Sequence, residues 1–142
     1  MSGVHEAASA CFSSQGLMIH FGAELVEAAD GRCVIEVGSA DHLTQQDGMF
    51  HGGVMAAIAD AACGHAAFTL APAAANILTI EFKINFLAPA DGERLRASAT
   101  VIKQGRSVST VKARVETLRG AEWAHCGEML ATMFVRQAKR GE

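Results

Sequence analysis

Asp60 stands in a run from Val54 to Phe68 in which nearly every other side chain is apolar or small. A carboxylate there costs several kcal/mol unless it is partnered or protonated. It is therefore either a structural acid that satisfies backbone amides or a group kept for chemistry. Just upstream, His51-Gly52-Gly53 opens the same run. At a helix start, unpaired N–H groups and the positive end of the helix dipole can hold a negative oxygen. A carboxylate can attack a carbonyl or deprotonate water, and a fixed N–H donor can stabilise the oxyanion that results. Eight residues separate Gly52 from Asp60, about 12 Å of helix at 1.5 Å per residue. That is too far for both to act on one small group within one chain. A second copy of the helix, antiparallel across a two-fold axis, would bring Asp60 of one chain beside Gly52 of the other, so the spacing points to a homodimer. The glycines have a plainer reading as well, as room for close helix packing. His65 lies roughly 140° round the helix from Asp60 and reads as a satisfied core or interface histidine.

The elements that must hold these residues follow from periodicity. A helix that is apolar all round is a buried helix, and this one is too short and too plainly flanked to span a bilayer. Residues 1–15 are expected to form an N-terminal helix, carried by Val4, Ala7, Ala8, Cys11 and Phe12 and stopped by Gly16. From Leu17 to Gly38 the pattern turns to alternation, with Asp30-Gly31 as a hairpin signal. Ser39 to Gly48 is a polar loop leading into the helix. Beyond Phe68, strands are expected over Leu78–Phe86, Leu95–Val101, Val108–Glu116 and Cys126–Val135, joined by short turns that favour antiparallel pairing.

At 142 residues, half of them hydrophobic and 19% charged, the chain is expected to be one compact soluble domain spanning 1–142. Its four cysteines are widely spaced and read as reduced thiols, with no metal site. With no secretory-signal pattern at the start, a cytoplasmic location is expected. A net charge of −3 hides an asymmetry: eleven of the twelve basic residues follow residue 80, where only seven of the fifteen acids lie. These late cations are either solvated strand faces or a patch for a phosphorylated ligand. The balance is too weakly basic for nucleic acid.

Gln46 to Val54, the helix carrying Asp60, Ile80 to Pro89 and Lys103-Gln104-Gly105-Arg106 together resemble the PaaI-like acyl-CoA thioesterases of the hotdog fold, from about Gly16 to Val135. The resemblance implies an α+β fold in which a long central helix is wrapped by a curved antiparallel sheet of five or six strands. It implies homodimers that share active sites and pair into tetramers, with no cofactor and no nucleic-acid or membrane partner. The implied reaction is hydrolysis of an aromatic or medium-chain acyl-CoA. The Gly52 N–H would polarise the thioester carbonyl, and Asp60 of the facing chain would act as nucleophile or as base for water. Gln45 stands where the family often has Asn, six residues before the motif His51, and Thr79 stands where close relatives use a hydroxyl. His51 is either catalytic itself or, in the preferred reading, fixes the loop and presents the Gly52 amide. Phe50 and Gly53 are assigned to the substrate, and Lys83, Lys103 and Arg106 are candidates for the CoA phosphates. The other readings to test are a protein that binds acyl-CoA without hydrolysis and a hydroxyacyl-thioester dehydratase.

Overall fold

In a computed structural model, which describes residues 3–138, the chain forms three helices and six strands. Residues 1, 2 and 139–142, the two ends of the expected 1–142 domain, lie outside the described residues. The helices are α1 (Glu6–Ser13), α2 (Gly16–Phe21) and α3 (Gly52–Phe68), and a single 3₁₀ turn spans Asp41–Leu43. The strands are β1 (Glu24–Ala29), β2 (Arg32–Gly38), β3 (Asn76–Phe86), β4 (Arg94–Gln104), β5 (Val108–Arg119) and β6 (Glu122–Arg136).

All six strands pair antiparallel in one sheet of order β1-β2-β4-β5-β6-β3. The β4-β5-β6 meander follows from its short turns. The β1–β2 hairpin closes on Asp30-Gly31, at φ 52° and 77°, the left-handed pair that a two-residue hairpin turn needs. Strand β3 is the exception to sequential pairing. It leaves α3 and docks on the far side of β6, so β1 and β3 are the two edges.

The inward rows of the sheet are fully buried, with Cys33, Ile35 and Val37 of β2, Leu95 and Ala97 of β4, Val111 and Val115 of β5, and Ala131 and Met133 of β6. Val54, Met55, Ile58, Ala59, Ala62, Cys63, Ala66 and Ala67 of α3 pack onto them. This is the hotdog arrangement, a long helix cradled by a curved antiparallel sheet. The helix is not covered all round, however. Gly53 is exposed, and Ala56, Ala57, Asp60, Ala61 and Gly64 are only half-buried, so one face of small residues lies outside the sheet's grip.

The N-terminal segment also differs from the sequence reading. Gly16 does not end the helical region; it opens α2, and Leu17–Phe21 is helix rather than the start of a strand. Met18 points into the core at 2% exposed while Leu17 and Ile19 stay outside. Leu17, Ile19 and Phe21 alternate as a strand does, but over so short a run the period-two and helical patterns overlap. Among the described residues, no helix is long and apolar enough to cross a membrane.

Candidate active site

The carboxylate has a partner. Thr79 Oγ1 donates a hydrogen bond of 2.7 Å to Asp60 Oδ1. Thr79 owes its direction to the register of β3: it pairs with the buried Met133, and a bulge follows at once between Thr79 and Glu81. Such bulges re-aim side chains beside active sites. Asp60 and Thr79 face a cleft of about 200 Å³. From α3 it is walled by Ala57, Ala61 and Gly64, and from the start of β3 by Asn76 and Ile77. Its remaining wall is one the sequence reading missed, formed by Cys11, Gln15, Leu17 and Met18 of the α1–α2 segment. The run Leu17–Phe21 is too short for its sequence to signal a helix, and as α2 it lies over α3 instead of entering the sheet.

The helix start is built separately. His51 is the N-cap of α3, and its Nδ1 accepts the Gly53 N–H at 2.8 Å. The Gly53 amide is thereby occupied, whereas the Gly52 N–H meets no acceptor among the described residues. Both glycines are closely approached by side chains. A Cβ on Gly53 would lie 2.9 Å from His51 Nδ1, and one on Gly52 would lie 3.1 Å from the Phe86 ring, which covers the helix start. Gln45 belongs to the same end. Its Oε1 accepts the backbone N–H groups of Asp47 and Met49, closing the loop that delivers His51, and its amide NH₂ has no partner among the described residues.

Within one chain, then, Asp60 and Thr79 meet, and Gln45, His51 and Gly52 gather at the helix start. The structure does not bring the two groups together, since two turns of α3 stand between them. Phe50, expected against substrate, is 4% exposed and sits in the core. Lys83 pairs across the sheet with the exposed Leu130 and so lies on the outward face, away from the cleft. Lys103 and Arg106 are exposed at the β4–β5 turn. That turn is at the Thr79 end of the sheet, because Thr79, Met133, Ser109 and Gln104 form one cross-strand row.

Part of the charge asymmetry is structural. Arg94 pairs with the early acids Glu24 and Glu36, whereas Arg96 and Arg114 pair with Glu116, and Arg119 with Asp91, which are themselves late acids. Arg136, which sequence reasoning did not single out, ends β6 beside the Lys103–Arg106 turn, with Val135 N donating to Ser107 O and Gln137 Nε2 to Arg106 O.

His65 is 3% exposed and lines the same cleft. Its Nδ1 lies 2.7 Å from Ala61 O, but its Nε2 has no partner among the described residues, so it is only half satisfied. Burial holds its pKa below the usual imidazole value. Burial, and then the neighbouring Asp60 charge, push the Cys63 thiol well up, which marks it as inert. Among the described residues no group of three or more His, Cys, Asp or Glu is placed to hold a metal ion.

Residues 47–124 match the family model of the Thioesterase superfamily. A crystal structure of a thioesterase family protein from Silicibacter pomeroyi is 36% identical, superposes with a TM-score of 0.90 and covers 92% of this chain and 96% of its own. A Halobacterium salinarum protein, whose name makes it an esterase by inference only, is 33% identical over 107 residues, 72% of this chain and 70% of its own length. The PaaI protein of E. coli is 17% identical with a TM-score of 0.81, over 92% of this chain and 91% of its own. At that identity it shares the fold.

Proposed function

The chain belongs to the Thioesterase superfamily, and from that premise we propose that it hydrolyses acyl-CoA thioesters at sites shared between two subunits. The observation that carries this reading is the division of one helix into two half-sites. Asp60 with Thr79 supplies the oxygen chemistry, the free Gly52 N–H supplies the oxyanion donor, and they lie about 12 Å apart on the same α3. An antiparallel partner helix joins each half-site to the other chain's complement. Such a helix fits on the first half of the small-residue face of α3, around Gly53, Ala56 and Ala57. Dimerisation through β3 is supported by its unpaired edge, where Leu78, Ile80, Phe82 and Phe86 are 41–56% exposed; an apolar edge of that length needs covering. A second apolar patch on the outward sheet face, Ile102, Val108, Leu130 and Phe134, supports pairing of dimers into a tetramer.

In this reading the thioester carbonyl oxygen rests against the Gly52 N–H, and the Thr79 hydrogen bond holds the Asp60 carboxylate with its second oxygen toward the carbonyl carbon. In one route Asp60 takes a proton from water as the water oxygen bonds the acyl carbon; the C–S bond breaks and that proton passes to the departing sulfur. In the other, Asp60 itself bonds the acyl carbon and displaces the thiolate, and one water then cleaves the acyl–aspartyl anhydride and supplies the proton to the thiolate. Either route consumes one water and gives free acid and CoA, and ¹⁸O from solvent found in the Asp60 carboxyl after a single turnover identifies the second. The Gly52 donor is worth on the order of 10²–10³ in rate. Gln45 offers its free amide NH₂ to the same carbonyl or water, and His51 positions the loop. Lys103, Arg106 and Arg136, which have no carboxylate within ion-pair reach among the described residues, supply the cations for the CoA phosphates. Cys33, Cys63 and Cys126 are buried free thiols, which supports a reducing, cytoplasmic setting.

The test is CoA release from a panel of acyl-CoAs, read with a thiol-reactive dye. Asp60→Asn should lower kcat by at least about 10² while leaving KM nearly intact, as for a group that acts in the transition state. Hydration of an enoyl thioester without CoA release would replace this reading with a dehydratase. Tight binding with no turnover would make the protein a carrier or sensor.

A further inference from the structure

We infer that Gly64 sets the depth of the acyl pocket and is the residue that decides how large an acyl group the site accepts. Gly64 lies one helical turn past Asp60, on the same face of α3, in the wall of the cleft that the α1–α2 segment closes. Glycine in a helix interior is unfavourable relative to alanine, so its presence there needs a reason. Packing within the chain gives none: a Cβ at Gly64 would meet no heavy atom within 4 Å. The contrast with Gly52 and Gly53 in the same helix is direct, because both of those are pressed by neighbouring side chains. What Gly64 leaves open is space in the cleft itself. An acyl group whose carbonyl sits at Asp60 has its tail directed along α3 past Ala61 and Gly64, with Cys11 and Leu17 of the α1–α2 segment above it. The cleft measures about 200 Å³, and a cavity of about 150 Å³ is enough to hold benzene. The pocket therefore suits a one-ring aryl group or an alkyl chain of similar bulk. A side chain at 64 would fill its far half.

This inference rests on the hydrolase reading, so the experiment separates the two. Gly64→Ala and Gly64→Leu are made, both being strong helix formers. Parent and variants are assayed for hydrolysis and, by calorimetric titration, for binding of acetyl-, butyryl-, octanoyl- and phenylacetyl-CoA. Folding and assembly are checked by thermal melting and by mass in solution. A single methylene in an apolar pocket is worth about 10–200-fold in discrimination. Gly64→Leu should therefore cut kcat/KM for octanoyl- and phenylacetyl-CoA by at least about 10-fold and keep acetyl-CoA within about 3-fold, with Gly64→Ala between. Melting temperature should be unchanged or raised, and the mass unchanged. A uniform loss across all four substrates, or a loss of the dimer, would show that Gly64 makes room for the partner helix and overturn the inference. Equal rates for parent and Gly64→Leu on every substrate would overturn it as well. If the parent binds acyl-CoAs without cleaving them, the hydrolase reading falls. The dissociation constants then judge Gly64 alone, by the same size-dependent pattern. A parent that binds none of the four ends both.

Discussion

The proposed division of the site between subunits has a quantitative signature in mixed dimers. One parent carries Asp60→Asn and the other Gly52→Pro. Proline deletes the Gly52 N–H, and its fixed φ suits the first position of a helix. The added ring meets the outer atoms of the Phe86 side chain, the nearest 3.1 Å from an ideal Cβ. Phe86 is 55% exposed, so its ring can give way without disturbing the core. Each homodimer then lacks one component at both of its sites and should fall to about 1% of wild-type activity or below. In a heterodimer the damage is distributed unevenly. One site carries both substitutions, and the other has intact Asp60 from one chain and intact Gly52 from its partner. Random exchange of equal amounts makes half the dimers hetero, so the mixture should recover about 25% of wild-type activity, and a heterodimer isolated on two different affinity tags about 50%. The assay is CoA release after co-refolding, with tag capture to confirm that heterodimers form. Verified heterodimers that stay at the parents' level would refute shared sites, since a site built within one chain is never intact in this mixture.

Lys103→Ala combined with Arg106→Ala should raise KM several-fold for CoA esters with kcat little changed. The effect should shrink with added salt, because exposed charges are screened over about 8–10 Å near physiological ionic strength; an acyl-pantetheine, which lacks the nucleotide phosphates, should not distinguish the variant from the parent, and equal damage to both substrates would remove the two residues from the CoA site. Burial holds the His65 pKa below its ordinary 6.5. The unfolded chain therefore takes up the proton first on acidification, and stability is lost as pH falls from about 6.5 toward the folded value. Urea melts of parent and His65→Phe should diverge in the parent's disfavour below that pH, and parallel curves would contradict the assignment. Cys11, half-exposed in the cleft wall, should be the thiol that a maleimide labels in the native protein, since Cys33, Cys63 and Cys126 are buried; bound acyl-CoA should slow that labelling at least several-fold, and labelling indifferent to acyl-CoA would put the acyl group elsewhere.

The sequence made the centre of the fold legible because two strong periodicities meet there. An apolar run without a polar face reads as a buried helix, and long alternation bounded by turns reads as strands with one buried row. The helix Gly52–Phe68 and the four strands from Asn76 onward do form, but the helix is enclosed on its sheet side alone, and β3 has no fully buried row. Two features were not legible for physical reasons. Leu17, Ile19 and Phe21 alternate as a strand would, but a one-and-a-half-turn helix offers too few residues to show its own period. The Asp60–Thr79 contact depends on β3 crossing to the far edge and on a bulge that aims Thr79 inward, and neither has a local sequence signal. The resemblance named Thr79, whereas the register of the sheet is what brings it to Asp60.

The helix α3 explains why so much of the candidate site lies on one element. Its N-cap histidine uses its Nδ1 on Gly53, and the amide one residue earlier has no partner among the described residues at the positive end of the dipole. Two turns later the same helix presents Asp60 from its half-covered face, where Thr79 can reach it, and one turn beyond that Gly64 leaves the wall open. The proposed donor, the carboxylate and the proposed pocket wall therefore share one rigid frame, and a helix that is well packed on its sheet side keeps their spacing fixed. The spacing is useless within a single chain and suited to a two-fold pair, because an antiparallel copy reverses the order and sets each donor against the other chain's carboxylate. On this geometry, substitutions on the buried side of α3, such as at Ile58 or Ala62, weaken the fold, while those on the half-covered side, at Ala57, Ala61 or Gly64, act on substrate and partner with the fold intact.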